Sequence, residues 1–148
     1  MADELRLSIE KLVYGGDGLA HADGNTVFVP YVLPGEEVRA AAKTKKKKLV
    51  WAELLEVLSP AREREKAKCP HFQKCGGCHY QQMPCERQLA TKTEILRETL
   101  RRLGKIDWQE QIHTHPSPLL GPEPPGPGLG YRNRAQFKIK NTFATFLQ

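Results

Sequence analysis

No part of the sequence approaches the run of roughly 20 apolar residues that spans a bilayer. The N-terminus, MADELRLSIEKL, is charged from its third residue, which argues against a secretory signal peptide. Aromatic residues make up 7% and hydrophobic residues 39% of the 148 positions, so the chain can form one ordinary domain or two small ones without a large core. We therefore expect a cytoplasmic protein with no membrane partner, and a monomer.

Cysteine is scarce, with four in the chain, but three of the four lie within CPHFQKCGGCHYQQ, residues 69–82. Cytosolic thiols stay reduced, so clustered cysteines in such a chain favour metal binding over disulfides. The Cys-x2-Cys pair can bring two sulfurs to one centre, and Gly76 and Gly77 let the backbone fold round it. The alternative is that these are buried, inert cysteines or a chance spacing.

A mononuclear zinc site or an iron–sulfur cluster usually takes four ligands. Spacing alone does not choose between the two, although the single dyad leans towards iron–sulfur. The candidate metal ligands are Cys69, Cys75 and Cys78, and the candidates for the fourth are Cys85, His71 and His79.

Charge is unevenly distributed along the chain, whose formal net charge is +6. Residues 1–60 carry 8 Lys and Arg against 9 Asp and Glu, whereas residues 61–148 carry 15 against 8, a net of +7. Lysine and arginine gain by displacing counterions from phosphates. The basic second half therefore favours a polyanionic partner, with nucleic acid first.

Residues 1–60 have the pattern of a compact all-β unit. Strand-like runs such as LRLSIEKLVY and TVFVPYVL alternate with turn signals that include GGDG, DGN and a Pro-Gly pair. Five short strands at this spacing predict a small closed barrel, because closure removes exposed strand edges. The last run, LVWAELLEVLSP, is interpreted as a strand, although a few amphipathic matches also fit a helix.

The second half divides into four segments. A charged connector and the cysteine segment occupy residues 61–83, and a helix is predicted over residues 84–104, where leucines recur at spacings of 7, 4 and 3. Residues 105–130 are predicted to be a Pro/Gly-rich linker, since PSPLLGPEPPGPGLG cannot sustain helix or ladder hydrogen bonds. In residues 131–148, YRNRAQFKIK alternates apolar with cationic residues and predicts the first strand of an incomplete β domain.

These segments together resemble a known family. CPHFQKCGGCHYQQ followed by a helix resembles the cluster-binding segment of the RNA uracil-5-methyltransferases that carry a 4Fe–4S centre, of the type that acts on 23S rRNA. GGDGLAHADGNTVFVPYVLPGEEV is similar to part of a TRAM domain, an RNA-binding OB-like module, and YRNRAQFKIK looks like the start of the central β domain. The implied fold is mainly β with one helix, a small OB-like barrel followed by the cluster loop, the helix and a further β domain.

The resemblance implies that Cys69, Cys75 and Cys78 are three of the four ligands of a 4Fe–4S cluster. In the family the fourth ligand lies beyond the last residue of this chain, and Cys85 falls where the family has no ligand. The S-adenosylmethionine site and the catalytic residues lie in a C-terminal domain that this chain does not contain. We therefore assign no catalytic residue and expect a truncated chain that is inactive alone in rRNA methylation.

RNA-binding residues are expected in two basic stretches, with the lysine run placed on a loop between strands. The predicted RNA-binding residues are Lys45, Lys46, Lys47, Lys48, Arg132 and Arg134. Phe28 and Tyr31 could stack on bases, although a core position is favoured for Phe28. His113 and His115 are interpreted as surface residues.

Two other functions compete with this interpretation. The first is a non-catalytic RNA-binding TRAM protein with a structural zinc, and the second is a non-functional fragment.

Overall fold

The computed structural model describes residues 4–115, 137–140 and 143–146. The chain divides into two compact units, Met1–Gln73 with Cys78–Met83 and Lys74–Gly77 with Pro84–Gln148. The first unit holds six strands and the second holds one helix and a short hairpin. The elements are β1 (Glu4–Ser8), β2 (Lys11–Leu12), β3 (Gly18–Ala22), β4 (Asn25–Val29), β5 (Glu37–Lys46), β6 (Leu49–Ser59), α1 (Cys85–Arg102), β7 (Phe137–Lys140) and β8 (Phe143–Phe146).

The six strands of the first unit form one sheet in the order β1-β5-β6-β4-β3-β2. All pairings are antiparallel except β4 with β6, which run parallel. The prediction of a mainly β chain with one helix is therefore confirmed for the described residues. The run LVWAELLEVLSP is a strand, as predicted, and not the helix that also fitted its pattern.

The prediction of a closed barrel is wrong, since within residues 4–115 the edge strands β1 and β2 do not pair with each other. They are successive segments of one stretch, separated by Ile9 and Glu10, so they lie end to end rather than side by side. At this junction the Ile9 N–H donates to the Glu36 carbonyl, whereas the Glu10 N–H donates to the Leu19 carbonyl in β3. The sheet is thus curled, and one continuous stretch joins its two edges.

Alternation along the strands places one face of the sheet in a continuous core. Gly18 lies where the packing is tightest, because a Cβ there would come within 2.2 Å of Val32 Cγ2 and 2.9 Å of Ile9 Cγ2. The core side chains are Leu7, Ile9, Ala20, Val27, Val29, Val32, Val38, Ala40, Val50 and Ala52.

Helix α1 begins where the sequence predicts. Pro84 precedes it with an extended backbone, and the Pro84 carbonyl accepts a hydrogen bond from the Gln88 N–H at 2.9 Å. At the other end Gly104 follows the last turn closely, since a Cβ there would lie 2.8 Å from the Leu100 carbonyl oxygen. Charged residues recur through α1, so no helix in the described part of the chain could cross a membrane.

The leucines predicted to form one apolar stripe along α1 are unevenly covered. Leu89 and Leu100 are half-buried, whereas Leu96 is 46% and Leu103 80% exposed. Thr91 is the one buried helix residue.

After the helix, residues 105–115 form neither strand nor helix. The second unit then contains the antiparallel hairpin of β7 and β8, in which Phe137 pairs with Phe146 and Lys140 with Phe143. The predicted strand over residues 131–140 is thus observed for 137–140, and its first part lies outside the described residues. The sequence interpretation assigned no separate strand to β8.

Candidate nucleic-acid interface

The two longest strands, β5 and β6, are joined by a two-residue turn at Lys47 and Lys48. The lysine run was predicted to lie on a loop, but Lys45 and Lys46 belong to β5 and pair with Val50 and Leu49. Extended pairing continues to the turn because the run contains no proline or glycine to interrupt it. The four side chains, here called the lysine turn (residues 45–48), are all exposed.

The lysine turn is held in place by its neighbours in the sheet. The Thr26 N–H donates to the Lys48 carbonyl at 2.8 Å, and Thr26 also lies opposite Leu49 in the parallel β4–β6 pairing. Lys47 adopts a φ of 56°, in the left-handed region that favours glycine or asparagine. The turn is therefore a fixed feature of the sheet whose charges project from its end.

Beside the turn lies an aromatic pair, Phe28 and Trp51. Their rings stack with centroids 5.7 Å apart and planes 29° apart, and the two residues are register partners in β4 and β6. Trp51 lies between the core residues Val50 and Ala52, so its side chain projects from the opposite, outer face and is 39% exposed. The core position favoured for Phe28 is therefore wrong, since Phe28 alternates with buried Val27 and Val29.

Sequence reasoning overlooked Trp51, although the alternation in LVWAELL could have identified it. Trp51 and Leu49 share the outer face because they are two residues apart on one strand. Together with the side chains of residues 46–48, they line a shallow depression of about 670 Å³. The depression has an apolar floor and a cationic rim.

The other basic residues of the sheet are mostly paired with carboxylates. Arg39 donates to Glu4 and Glu56 at 3.2 and 3.0 Å, and these hydrogen bonds raise the pKa of the Arg39 guanidinium. Lys43 pairs with Glu53 across the β5–β6 ladder. Within the described part of the chain, no carboxylate pairs with the lysine turn. Its charge is available to a polyanion.

Residues 69–73 and 78–82 of the cysteine segment belong to the first unit and are held there by several contacts. The Cys69 N–H donates to Gln81 Oε1 at 3.1 Å, and His79 Nδ1 lies 2.9 Å from the Gly15 carbonyl. The Tyr31 ring meets Phe72 and His79 edge-on, with centroids 5.1 and 6.3 Å apart. Tyr31 thus supports the cysteine segment and does not belong to the aromatic pair on the outer face.

All four cysteines are half-buried and none forms a disulfide. Among the described residues, which include every cysteine, no three His, Cys, Asp or Glu side chains are gathered in a way that could hold a metal ion. Thiolates are suitable ligands for a thiophilic metal, but three thiols are one fewer than the usual four ligands. The described residues therefore do not form an assembled metal site. Metal binding by Cys69, Cys75 and Cys78 stays a prediction.

A half-buried carboxyl group lies near the cysteine segment. Burial raises the pKa of Asp17, and the charge of His79 partly offsets this increase. Burial also raises the pKa of Tyr80, with a smaller contribution from Asp17. Asp17 is thus a carboxyl group whose charged form is disfavoured by the fold.

The remaining predicted residues do not add to the interface. Arg132 and Arg134 lie outside the described residues. His113 and His115 are exposed, as expected for surface residues.

Residues 5–62 match the family model described as "tRNA (uracil(54)-C(5))-methyltransferase, TRAM domain". These residues are therefore similar to the TRAM domain of RNA uracil-C5-methyltransferases. The lysine turn and the aromatic pair both lie within the matched residues.

Relatives match almost the whole chain. An uncharacterized RNA methyltransferase of Aquifex aeolicus is 39% identical over 96% of this chain and 32% of its own length. The 23S rRNA (uracil(1939)-C(5))-methyltransferase RlmD of Pseudomonas putida is 40% identical over 91% of this chain and 28% of its own. The chain thus spans about a third of these curated relatives.

Among solved structures, Pyrococcus abyssi tRNA (uracil-54, C5)-methyltransferase in complex with S-adenosyl-L-homocysteine is 27% identical. The match covers 68% of this chain and 21% of that one, with a TM-score of 0.40.

Proposed function

We propose that this chain is the RNA-binding and iron–sulfur portion of an S-adenosylmethionine-dependent RNA uracil-C5 methyltransferase that acts on 23S rRNA. The observation that carries the RNA-binding part is the unpaired lysine turn beside the aromatic pair, of which Trp51 is exposed. Lysines supply counterion release on phosphate binding, and aromatic rings supply stacking surfaces for bases. Similarity to RlmD supports the choice of ribosomal RNA.

The methyl transfer itself is proposed to occur in a domain outside this chain. There a cysteine would add to C6 of the uracil, and C5 would take the methyl group from S-adenosylmethionine, which would leave as S-adenosylhomocysteine. A general base would then remove the C5 proton as the cysteine leaves C6. None of the described residues is assigned to these steps. The contribution of this chain is to bind and orient the RNA, and we expect it to be inactive alone. We also propose that it is a cytoplasmic monomer.

The cysteine segment is proposed to provide Cys69, Cys75 and Cys78 to a 4Fe–4S cluster. The fourth ligand would be Cys85 or a cysteine outside this chain. Binding of the cluster would order the segment around it. Such coupling of metal binding to local folding is common in small metal-binding segments.

Metal analysis tests the cluster proposal. After anaerobic reconstitution with iron and sulfide, the chain should contain iron and acid-labile sulfide in similar amounts. One zinc per chain, with no sulfide, would instead support the non-catalytic RNA-binding protein with a structural zinc. Retention of neither metal would remove the iron–sulfur part of the proposal.

RNA binding is tested separately, because it depends on the sheet and not on the cluster. The chain should bind an rRNA fragment with an affinity that decreases steeply with salt. Absence of binding at low salt would refute the RNA-binding part, whatever the metal content.

A further inference from the structure

Trp51 of the aromatic pair and Leu49 form an apolar patch next to the lysine turn. Trp51 is 39% and the neighbouring Leu49 40% exposed, and both are on the outer face of the sheet. The core does not need them, because alternation assigns Val50 and Ala52 to that role. An apolar surface maintained beside a charged rim is typical of a binding site.

The backbone of the lysine turn gives an independent indication. Lys47 has a φ of 56°, which costs a non-glycine residue about 1 kcal/mol relative to glycine. A lysine nevertheless occupies the position, so that residues 45–48 present four consecutive positive charges. The strained position carries a charge where the backbone alone would favour glycine.

An apolar surface suited to a base lies next to lysine side chains suited to phosphates. Leu49 and Trp51 form the floor of the depression, and Lys46, Lys47 and Lys48 form its rim. The Thr26 N–H to Lys48 carbonyl bond fixes the rim to β4, the strand that also carries Phe28. Floor and rim are thus held by the same two strands, β4 and β6.

We infer that this depression binds an unpaired nucleotide of single-stranded RNA, with its base stacked on Trp51 and the flanking phosphates held by the lysine turn. The inference rests on the proposed function and specifies its substrate class. The Trp51 ring can stack only on a base whose face is free. This selects against duplex RNA, because the bases of a duplex are already stacked and paired. The lysines alone would not discriminate, because they contact phosphates of either form.

Tryptophan fluorescence offers a direct test, because the chain has two tryptophans, Trp51 and Trp108. In a Trp108→Phe background, Trp51 is the only tryptophan. A short unstructured oligoribonucleotide should quench its emission, whereas a duplex of the same sequence and an acidic peptide should quench it much less. Polyphosphate should compete for the lysines without quenching.

Affinity measurements on variants complete the test. Trp51→Ala should weaken single-strand binding by at least about fivefold, and Trp51→Phe should recover most of the loss. Trp51→Leu keeps an apolar side chain but has no ring that could stack on a base. It therefore separates the loss of stacking from a folding defect in the alanine variant. The matched control, Trp108→Ala, removes an exposed tryptophan elsewhere and should leave the affinity unchanged.

Three results would overturn the inference. These are equal affinities for Trp51→Ala and Trp108→Ala, equal affinity and quenching for duplex RNA, or stronger quenching by the acidic peptide, which would assign the face to a protein partner. If Trp51→Ala has no effect while lysine substitutions still weaken RNA binding, the stacking inference fails and the proposed function stands. If no RNA binds under any condition, both fail.

Discussion

The guanidinium of Arg64 donates to both carboxylate oxygens of Glu36, 28 residues earlier in the chain, with Nη2 to Oε2 at 2.8 Å. Glu36 is fully buried and also accepts from the Leu33 and Ala61 N–H groups at 2.8 and 3.1 Å. Arg64 in turn donates to the Tyr31 carbonyl at 2.8 Å. This pair fastens the start of the charged connector to the sheet.

Removing the cation from this pair should destabilise the first unit. Arg64→Ala leaves the buried Glu36 carboxylate without its charge partner, so we expect the free energy of unfolding to fall by about 3 kcal/mol. Urea denaturation would measure this free energy of unfolding. Arg62→Ala, an exposed neighbour in the connector, should change the value by less than about 0.5 kcal/mol. Similar losses in both variants would show that the Glu36–Arg64 pair has no special role.

Gly18 should tolerate no side chain. A Cβ at this position would overlap Val32 Cγ2, so we expect Gly18→Ala to cost about 1–3 kcal/mol through overpacking. In the comparison variant, Gly24→Ala, the Cβ would meet no atom but the φ of 73° is strained, so the loss should be about 1 kcal/mol. Thermal unfolding distinguishes the two, and a smaller loss at Gly18 would contradict the packing described.

The raised pKa of Asp17 predicts a pH-dependent stability. Because the folded state holds this proton more tightly than the unfolded state, the ionised carboxylate costs stability above the folded pKa, and that cost disappears below the unfolded pKa. Asp17→Asn should therefore raise the Tm at pH 7, with the difference shrinking as the pH falls through the folded pKa of Asp17 and vanishing below the ordinary carboxyl pKa of 3.8. Asp23→Asn, at an exposed position, gives the background effect of the substitution. A benefit that grows on acidification would have the wrong sign.

The lysine turn should determine much of the salt dependence of RNA binding. Replacing all four lysines at residues 45–48 by glutamine should reduce the slope of log affinity against log salt by about 0.7 per lysine in phosphate contact. Lys43→Gln serves as the control, because Lys43 is already paired with Glu53. Filter binding over a range of salt concentrations gives the slopes. An unchanged slope in the quadruple variant would exclude the turn from phosphate contact.

Single cysteine substitutions should separate ligands from bystanders. Serine at position 69, 75 or 78 should abolish iron and sulfide incorporation, since a thiolate ligand is lost. Cys85→Ser should retain both, because Cys85 is the first residue of α1 and falls where the family has no ligand. Iron and sulfide assays on each variant provide the measurement. Loss of iron in Cys85→Ser would identify Cys85 as the fourth ligand.

Local patterns in the sequence predicted several elements well. Alternation identified β6, and Pro84 with the C-terminal Gly104 bracketed α1. These succeed because strand and helix periodicity and terminal residues are properties of short segments. The lysine run was assigned to a loop between strands, whereas Lys45 and Lys46 continue β5 up to the turn.

The candidate site also combines features that local sequence predicts with features that depend on the fold. Lys45–48 could be named from composition, but their availability depends on where carboxylates lie in the folded sheet. Trp51 could have been placed on the outer face by alternation, yet its stacking partner Phe28 comes from a strand more than 20 residues away in sequence. No local pattern specifies that partnership, because it depends on the parallel pairing of β4 with β6.

Spacing and alternation in the chain were enough to predict a β-rich first half and one helix, and the sequence itself shows three closely spaced cysteines and a basic lysine run, since each depends on neighbouring residues. Folding in three dimensions decided that the sheet stays open at β1 and β2, that Phe28 faces outwards, and that Glu36 holds Arg64. Those outcomes depend on contacts between distant segments, whose free energies are set by packing and desolvation across the whole sheet.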